Sequence, residues 1–167
     1  MWVRHFKLSF VFSLLAILAT IGGCSFASHP SDQVMEQRLR SQQAEFDELI
    51  TMLQEDSDVI RLDNTHVFLN ESSDRIIPQP RLEQYRRLFI KLGLEGGIHR
   101  YKPEVIRLIA STGGMLVPTS EKSYVHSTTE LTPLVDSLDE VNRKNRGDQT
   151  PVYKKVFGNW YLYYESW

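Results

Sequence analysis

From Leu8 to Ile21 the chain runs for fourteen residues without a charge, and most of them are apolar. No other feature constrains the fold as much, because this run is too greasy for a solvated loop and too short for a bilayer. A spanning helix needs about 20 apolar residues, whereas the apolar part of an export signal needs about 7–15. Arg4, His5 and Lys7 precede it, and basic residues in that place hold the N-terminus on the cytoplasmic side. The pattern predicts a cleaved signal peptide over residues 1–23, which takes no part in the fold.

Ile21-Gly22-Gly23-Cys24 follows at once, and Cys24 is the one Cys of the chain. These residues resemble the lipobox of bacterial lipoproteins: an aliphatic residue, two small ones, then the modified Cys. The resemblance implies a diacylglycerol on the Cys24 thiol, cleavage before it and acylation of the new amino terminus. Ser25 rather than Asp follows the Cys, which in a Gram-negative cell resembles the default sorting to the outer membrane, facing the periplasm. Two other outcomes stay open. Ser25-Phe26-Ala27 is an A-x-A-like site for ordinary signal peptidase, whose cut would discard Cys24 and release a soluble protein. An uncleaved leader would remain as an anchor.

Cleavage before Cys24 leaves 144 residues, a length that favours one domain. It also removes the cations Arg4 and Lys7 and no acid, taking the formal charge from −2 to −4. An acidic chain without a basic stripe gives no reason to expect a nucleic-acid partner. The membrane would then be held through the acyl chains, at about 0.8 kcal/mol per buried CH₂. A lone Cys excludes an intrachain disulfide framework and a Cys-pair zinc motif. No phosphate loop, H-E-x-x-H or G-x-S-x-G pattern occurs. No cofactor and no metal is expected.

Residues 24–32 are polar and contain Pro30, which predicts a short tether; residues 33–167 read as a single α+β domain. Met35, Leu39, Phe46, Leu49, Ile50 and Leu53 fit one face of a helix over 33–54 with Asp32 as its N-cap. A second amphipathic helix carries Leu82, Tyr85, Leu88, Phe89 and Leu92, with Pro80 in its first turn and a stop near Gly93. Its other face, with Arg81, Arg86, Arg87 and Lys91, is either solvated or a surface for an anionic glycan or partner. Short apolar runs at 59–62, 65–69, 98–101, 105–110, 115–117, 124–126, 152–156 and 160–167 alternate with Gly, Pro and Asp turns. The spacing predicts two amphipathic helices packed on an antiparallel sheet of about five to seven short strands. Thr132-Pro133 predicts the start of a short helix carrying Leu134, Val135, Leu138 and Val141. Phe157-Gly158-Asn159 predicts a hairpin turn.

Candidate chemistry is sparse. Trp160, Leu162 and Tyr164 share one face of the last strand, and Tyr161 and Tyr163 share the other. Such a strand is either covered on both sides or carries a stacking platform for a glycan, built on Trp160, Tyr161 and Tyr163. His66, His99 and His126 fall on expected strands and would serve a hydrolase or a metal only if they converge. The paired acids Asp56/Asp58 and Asp139/Glu140 are the other catalytic candidates. His29 is placed in the tether.

The stretch from Tyr85 to Gly97 and the ending Trp160-Tyr161-Leu162-Tyr163-Tyr164 resemble parts of small, uncharacterised envelope lipoproteins of bacteria. That resemblance implies an envelope address and no catalytic residues. The leading expectation is a non-catalytic lipoprotein, lipidated at Cys24, that binds another envelope component, whether a protein or a glycan. One alternative is an inhibitor or immunity-type lipoprotein acting on a cell-wall hydrolase through the loops 70–79 or 142–150. Another is a hydrolase built on the strand histidines.

Overall fold

The computed structural model describes residues 29–114, 119–144 and 150–167. Cys24 and the leader, the expected strand at 115–117 and most of the loop at 142–150 lie outside the described residues. The architecture is α+β. In chain order the elements are α1 (Asp32–Ser41), α2 (Gln43–Glu55), β1 (Val59–Leu62), β2 (Val67–Leu69), α3 (Gln79–Leu92), β3 (Gly97–Lys102), β4 (Val105–Gly113), β5 (Ser120–Ser127), α4 (Leu138–Lys144), β6 (Val152–Phe157) and β7 (Trp160–Ser166). The seven strands form one antiparallel sheet in the order β2-β1-β3-β4-β5-β7-β6.

Residues opposite one another in an antiparallel ladder point to the same face, and the next row points to the other. Val67, Leu62, Ile98, Leu108, Tyr124, Leu162 and Lys154 form one such row from edge to edge. Its members from Leu62 to Leu162 are buried under the helices, in one core with Phe46, Leu49, Leu53, Tyr85 and Phe89. The adjoining row is Phe68, Arg61, His99, Arg107, Val125, Tyr161 and Lys155. It faces away from the helices. This second face holds a smaller apolar cluster of Val105, Val125, Tyr161 and Tyr163, with Leu131 and Tyr153 packed against it.

The expected helix over 33–54 is two helices broken at Gln42, whose φ/ψ of −120/30° leaves the helical region. No core residue falls between Arg40 and Glu45 to hold that stretch against the sheet. Ser41 Oγ also donates to the Arg38 carbonyl (3.2 Å) that Gln42 N–H uses (2.9 Å), and such back-bonding bends helices. The N-cap is Ser31, whose Oγ accepts from Val34 N–H. Asp32 has a different task, described below. Helix α3 ends at Gly93, at φ 65°, as its pattern predicted. Gly97, at φ 73°, meets β1 so closely that a Cβ would lie 2.1 Å from the Leu62 carbonyl oxygen; glycine alone fits there.

No helix starts at Thr132-Pro133. Val135 N–H donates to the Tyr153 carbonyl and Tyr153 N–H to the Pro133 carbonyl. The β6 edge therefore takes the backbone groups that a helix would have used. Helix α4 begins instead at Leu138, whose N–H donates to Asp32 Oδ2 at 2.9 Å.

The last residues of the expected tether are part of the folded body. His29 Nδ1 and Nε2 lie 2.7 Å from Ser111 Oγ and 2.8 Å from Ser120 Oγ, bridging β4 and β5. Asp32 is buried. Its carboxylate lies 2.7 Å from Lys122 Nζ, which also meets Asp139 Oδ1 at 2.6 Å and the Pro30 carbonyl at 2.9 Å. The Lys122 side chain is 2% exposed. Burial alone would raise the Asp32 carboxyl, but Lys122, the Leu138 N–H and Lys154 hold it below the ordinary carboxylate range.

Trp160 sits in the helix-side core against Phe46 and His126, with ring centroids at 5.5 and 5.0 Å. Trp160→Ala should lower the unfolding free energy by about 3–5 kcal/mol in chemical denaturation, as large-to-small core changes do. Lys122→Met strands a buried carboxylate and should cost about 3–5 kcal/mol. Adding Asp32→Leu should recover part of that loss. An undiminished loss in the double variant would show that packing, not charge, is what Lys122 supplies.

Candidate functional site

The sheet face turned away from α1, α2 and α3 is where polar and aromatic side chains converge. Alternation puts Arg107 on it, between the core residues Ile106 and Leu108 of β4. Around Arg107 stand Tyr101 from β3, Val105 from β4, Pro151 and Tyr153 at β6, and Tyr163 and Glu165 from β7. Together they line a cavity of about 120 Å³.

The Arg107 guanidinium organises this cavity. Its Cζ lies 4.8 Å from the ring centroid of Tyr163 and 5.6 Å from that of Tyr101, distances at which a cation is attracted to the ring face. Nη1 lies 3.6 Å from Glu121 Oε1 and 3.9 Å from Glu165 Oε2. Nη2 is 3.2 Å from His99 Nδ1. A guanidinium only donates, so His99 Nδ1 accepts and the imidazole is neutral. Burial holds the His99 ring below its ordinary value, and Arg107 and Arg61 push it further down. Arg107 Nε–H is buried and has no hydrogen-bond partner among the described residues.

The Tyr163 hydroxyl donates to Glu165 Oε2. Burial raises the phenol far above its ordinary value, and the bond to Glu165 raises it further, so it stays protonated. Tyr161 lies along the same face, in a separate depression lined by Ser127, Glu130, Leu134, Lys155 and Asn159. There Lys155 Nζ donates to the Tyr161 hydroxyl at 2.7 Å.

Of the three aromatics expected to form a platform, the fold brings two to the open face. Trp160 belongs to the opposite face and is core, whereas Tyr161 and Tyr163 are 3% exposed and present edges to their depressions. Of the rings that line the Arg107 cavity, Tyr101 is the exposed one, at 65%. The strand histidines do not converge. His99 lies in the outward row and His126 in the row that contains Trp160. His66 precedes β2 in an exposed turn, where Asp63 Oδ1 accepts from the Thr65 and His66 N–H groups. Among the described residues no set of three His, Cys, Asp or Glu is placed to share a metal ion.

Of the four paired acids, Asp139 is engaged in an ion pair with Lys122, and Asp56 and Asp58 in ion pairs with arginines. Asp56 is buried and binds Arg75, Arg81 and the Tyr85 hydroxyl. Asp58 binds Ser73 and Arg75. These bonds also pin the 70–79 loop, one of the two loops considered for inhibition; the other lies mostly outside the described residues. The cationic face expected of α3 is partly neutralised, with Arg81 on Glu55 and Asp56 and Lys91 on Glu45. Among the described residues no helix is long and apolar enough to cross a membrane.

Sequence reasoning missed Arg107, Tyr101, Tyr153 and Glu165. The one available signal was a charge in the otherwise apolar run Val105-Ile106-Arg107-Leu108, which strand periodicity turns outward. His29 was missed because its partners, Ser111 and Ser120, lie more than eighty residues away.

Burial lowers the His29, His99 and His126 rings from their usual 6.5, with Lys122 adding to the effect at His29 and Asp47 opposing it at His126. Groups held neutral in the fold contribute stability above the unfolded value and lose it as pH falls below that value. The melting temperature should therefore fall between about pH 7 and pH 5. The triple change His29→Gln, His99→Gln and His126→Gln should flatten that slope; an unchanged slope would assign the acid sensitivity elsewhere.

Comparisons with protein-family models, with curated proteins and with solved structures found no match.

Proposed function

We propose that this protein is a non-catalytic lipoprotein of the bacterial cell envelope, held to a membrane by acyl chains on Cys24. In this reading the open face of its sheet binds another envelope component. The address is supported by the sequence: a charged start, an uncharged run of fourteen residues, and the lipobox-like Ile21-Gly22-Gly23-Cys24. The binding role is supported by one observation above the others. The sheet face that α1, α2 and α3 leave open carries a cavity lined by three tyrosines, an arginine and a carboxylate. A concave site with an apolar lining and a few convergent polar groups is the usual form of a ligand site.

The way the chain enters the fold fits a tether. His29 and Asp32 are bonded to β4, β5 and α4, which leaves only residues 24–28 between the expected lipid and the domain. So short a link would keep the domain close to the membrane surface. Two acyl chains make attachment stable where one is marginal.

Replacement of Cys24 by Ser should abolish incorporation of labelled fatty acid and leave an unprocessed precursor. Normal labelling, or a mature protein that begins at Ser28 and fractionates as soluble, would overturn the address.

A further inference from the structure

We propose that the domain stands end-on to the membrane, with the uncharged end of β4, β5 and β7 against the lipid headgroups and the Trp167 indole seated among them. This deepens the proposed tether and rests on acylation of Cys24. The inference begins from the point at which the chain enters the fold. His29 is held between Ser111 of β4 and Ser120 of β5, at 2.7 and 2.8 Å. Its ring meets Tyr164 of β7 edge-on, with centroids 5.7 Å apart. These three strands reach the same end of the sheet: Gly113 lies opposite Ser120, and Ser120 opposite Ser166. β3 is paired no further than Gly97 opposite Ile109, so the three strands run on beyond it. Trp167 follows directly, and its N–H donates to the Thr119 carbonyl at 2.9 Å.

Reach limits which surfaces can meet the lipid. Acyl chains on Cys24 place that residue at the boundary of hydrocarbon and headgroups. From Cys24 to His29 the chain can extend no more than about 17 Å, and the headgroup layer takes about 5–7 Å of it. A domain of this length is roughly 35 Å across, so the side remote from His29 stays off the membrane. Chemistry selects among the surfaces that remain. Where β4, β5 and β7 end, the exposed described residues are Thr112, Gly114, Thr119 and Trp167, and none carries a charge. The mature chain is acidic, and an acidic body is repelled by anionic headgroups; an uncharged end escapes that penalty. The Trp167 side chain is 47% exposed, and an indole is most stable at headgroup level, where its ring is part apolar and its N–H stays wet. In this pose the open face of the sheet stands upright from the membrane, and a partner reaches the Arg107 cavity from the side.

The test is tryptophan quenching by lipid. The mature protein, purified from cells, is reconstituted into phosphatidylcholine vesicles with or without bromine on the acyl chains near the headgroup. Cleavage before Cys24 removes Trp2 and leaves buried Trp160 and exposed Trp167. The emission lost in Trp167→Phe isolates Trp167. Brominated lipid should lower that emission about twofold or more and leave the Trp160 emission of the variant unchanged. Should the variant not fold, the wild-type protein decides alone, because Trp160 is in the core. In the Trp167→Phe background, Ile90→Trp puts a reporter on the cationic face of α3, where residue 90 is 79% exposed; it should stay unquenched. Trp167 emission that ignores bromine overturns the proposal, as does equal quenching at 90 and 167. Quenching at 90 alone overturns it in favour of α3 lying on the lipid. A protein crosslinked through position 167 in intact envelopes, without quenching, overturns it in favour of a protein partner. Fatty-acid labelling of the same preparation keeps the two readings apart. Labelled protein with an unquenched Trp167 loses the orientation and retains its address, whereas unlabelled protein loses both.

Discussion

A buried ammonium ties this fold together. Lys122, on the helix side of β5, reaches two carboxylates and a backbone carbonyl from two separate parts of the chain: Pro30 and Asp32 at the start of α1, and Asp139 in the first turn of α4. Taking a lysine out of water is expensive, and only good geometry to opposite charges repays it. The same Asp32 carboxylate caps α4 through the Leu138 N–H and meets Lys154 of β6. One ion cluster thus fixes where the chain enters the domain, where α4 begins and how both dock on the sheet. Apolar packing alone does not specify positions so narrowly, because hydrophobic contacts are non-directional.

With one face of the sheet committed to the helices, the other takes its character from the pleat. A row of Leu62, Ile98, Leu108, Tyr124 and Leu162 is buried under α1, α2 and α3. The adjoining row offers Phe68, Arg61, His99, Arg107, Tyr161 and Lys155 to the opposite side. On that side cations lie over aromatic rings in succession, Arg61 over Phe68, Arg107 over Tyr101 and Tyr163, and Lys155 over Tyr161. A sheet without helices on its second face must solvate it or offer it to a partner. Here small apolar patches sit among charges, with Leu131 laid over part of them.

The difference between the two strand arginines shows how neighbouring positions acquire unlike roles. Arg100 and Arg107 both lie in the central strands, but Arg100 points toward the helices and satisfies the ends of α2 and β1. Arg107 points away and gathers acids, a neutral imidazole and tyrosine rings. Arg107 Nε is buried without a hydrogen-bond partner among the described residues.

By itself the sequence determined the α+β class, the antiparallel sheet, the stop of α3 at Gly93 and the hairpin at Gly158-Asn159. Each rests on local signals, periodicity and turn residues, which need no knowledge of distant neighbours. It also carried the whole of the envelope reading, in the leader and Cys24. Tertiary structure decided the rest, because the deciding partners are far apart in the chain. The loss of a helix at Thr132-Pro133 and the seating of His29 and Asp32 follow from contacts that no local window contains. The same holds for the open face. Two-residue periodicity says that Trp160 and Tyr161 point opposite ways, but only the docking of the helices decides which of them is core and which borders a cavity.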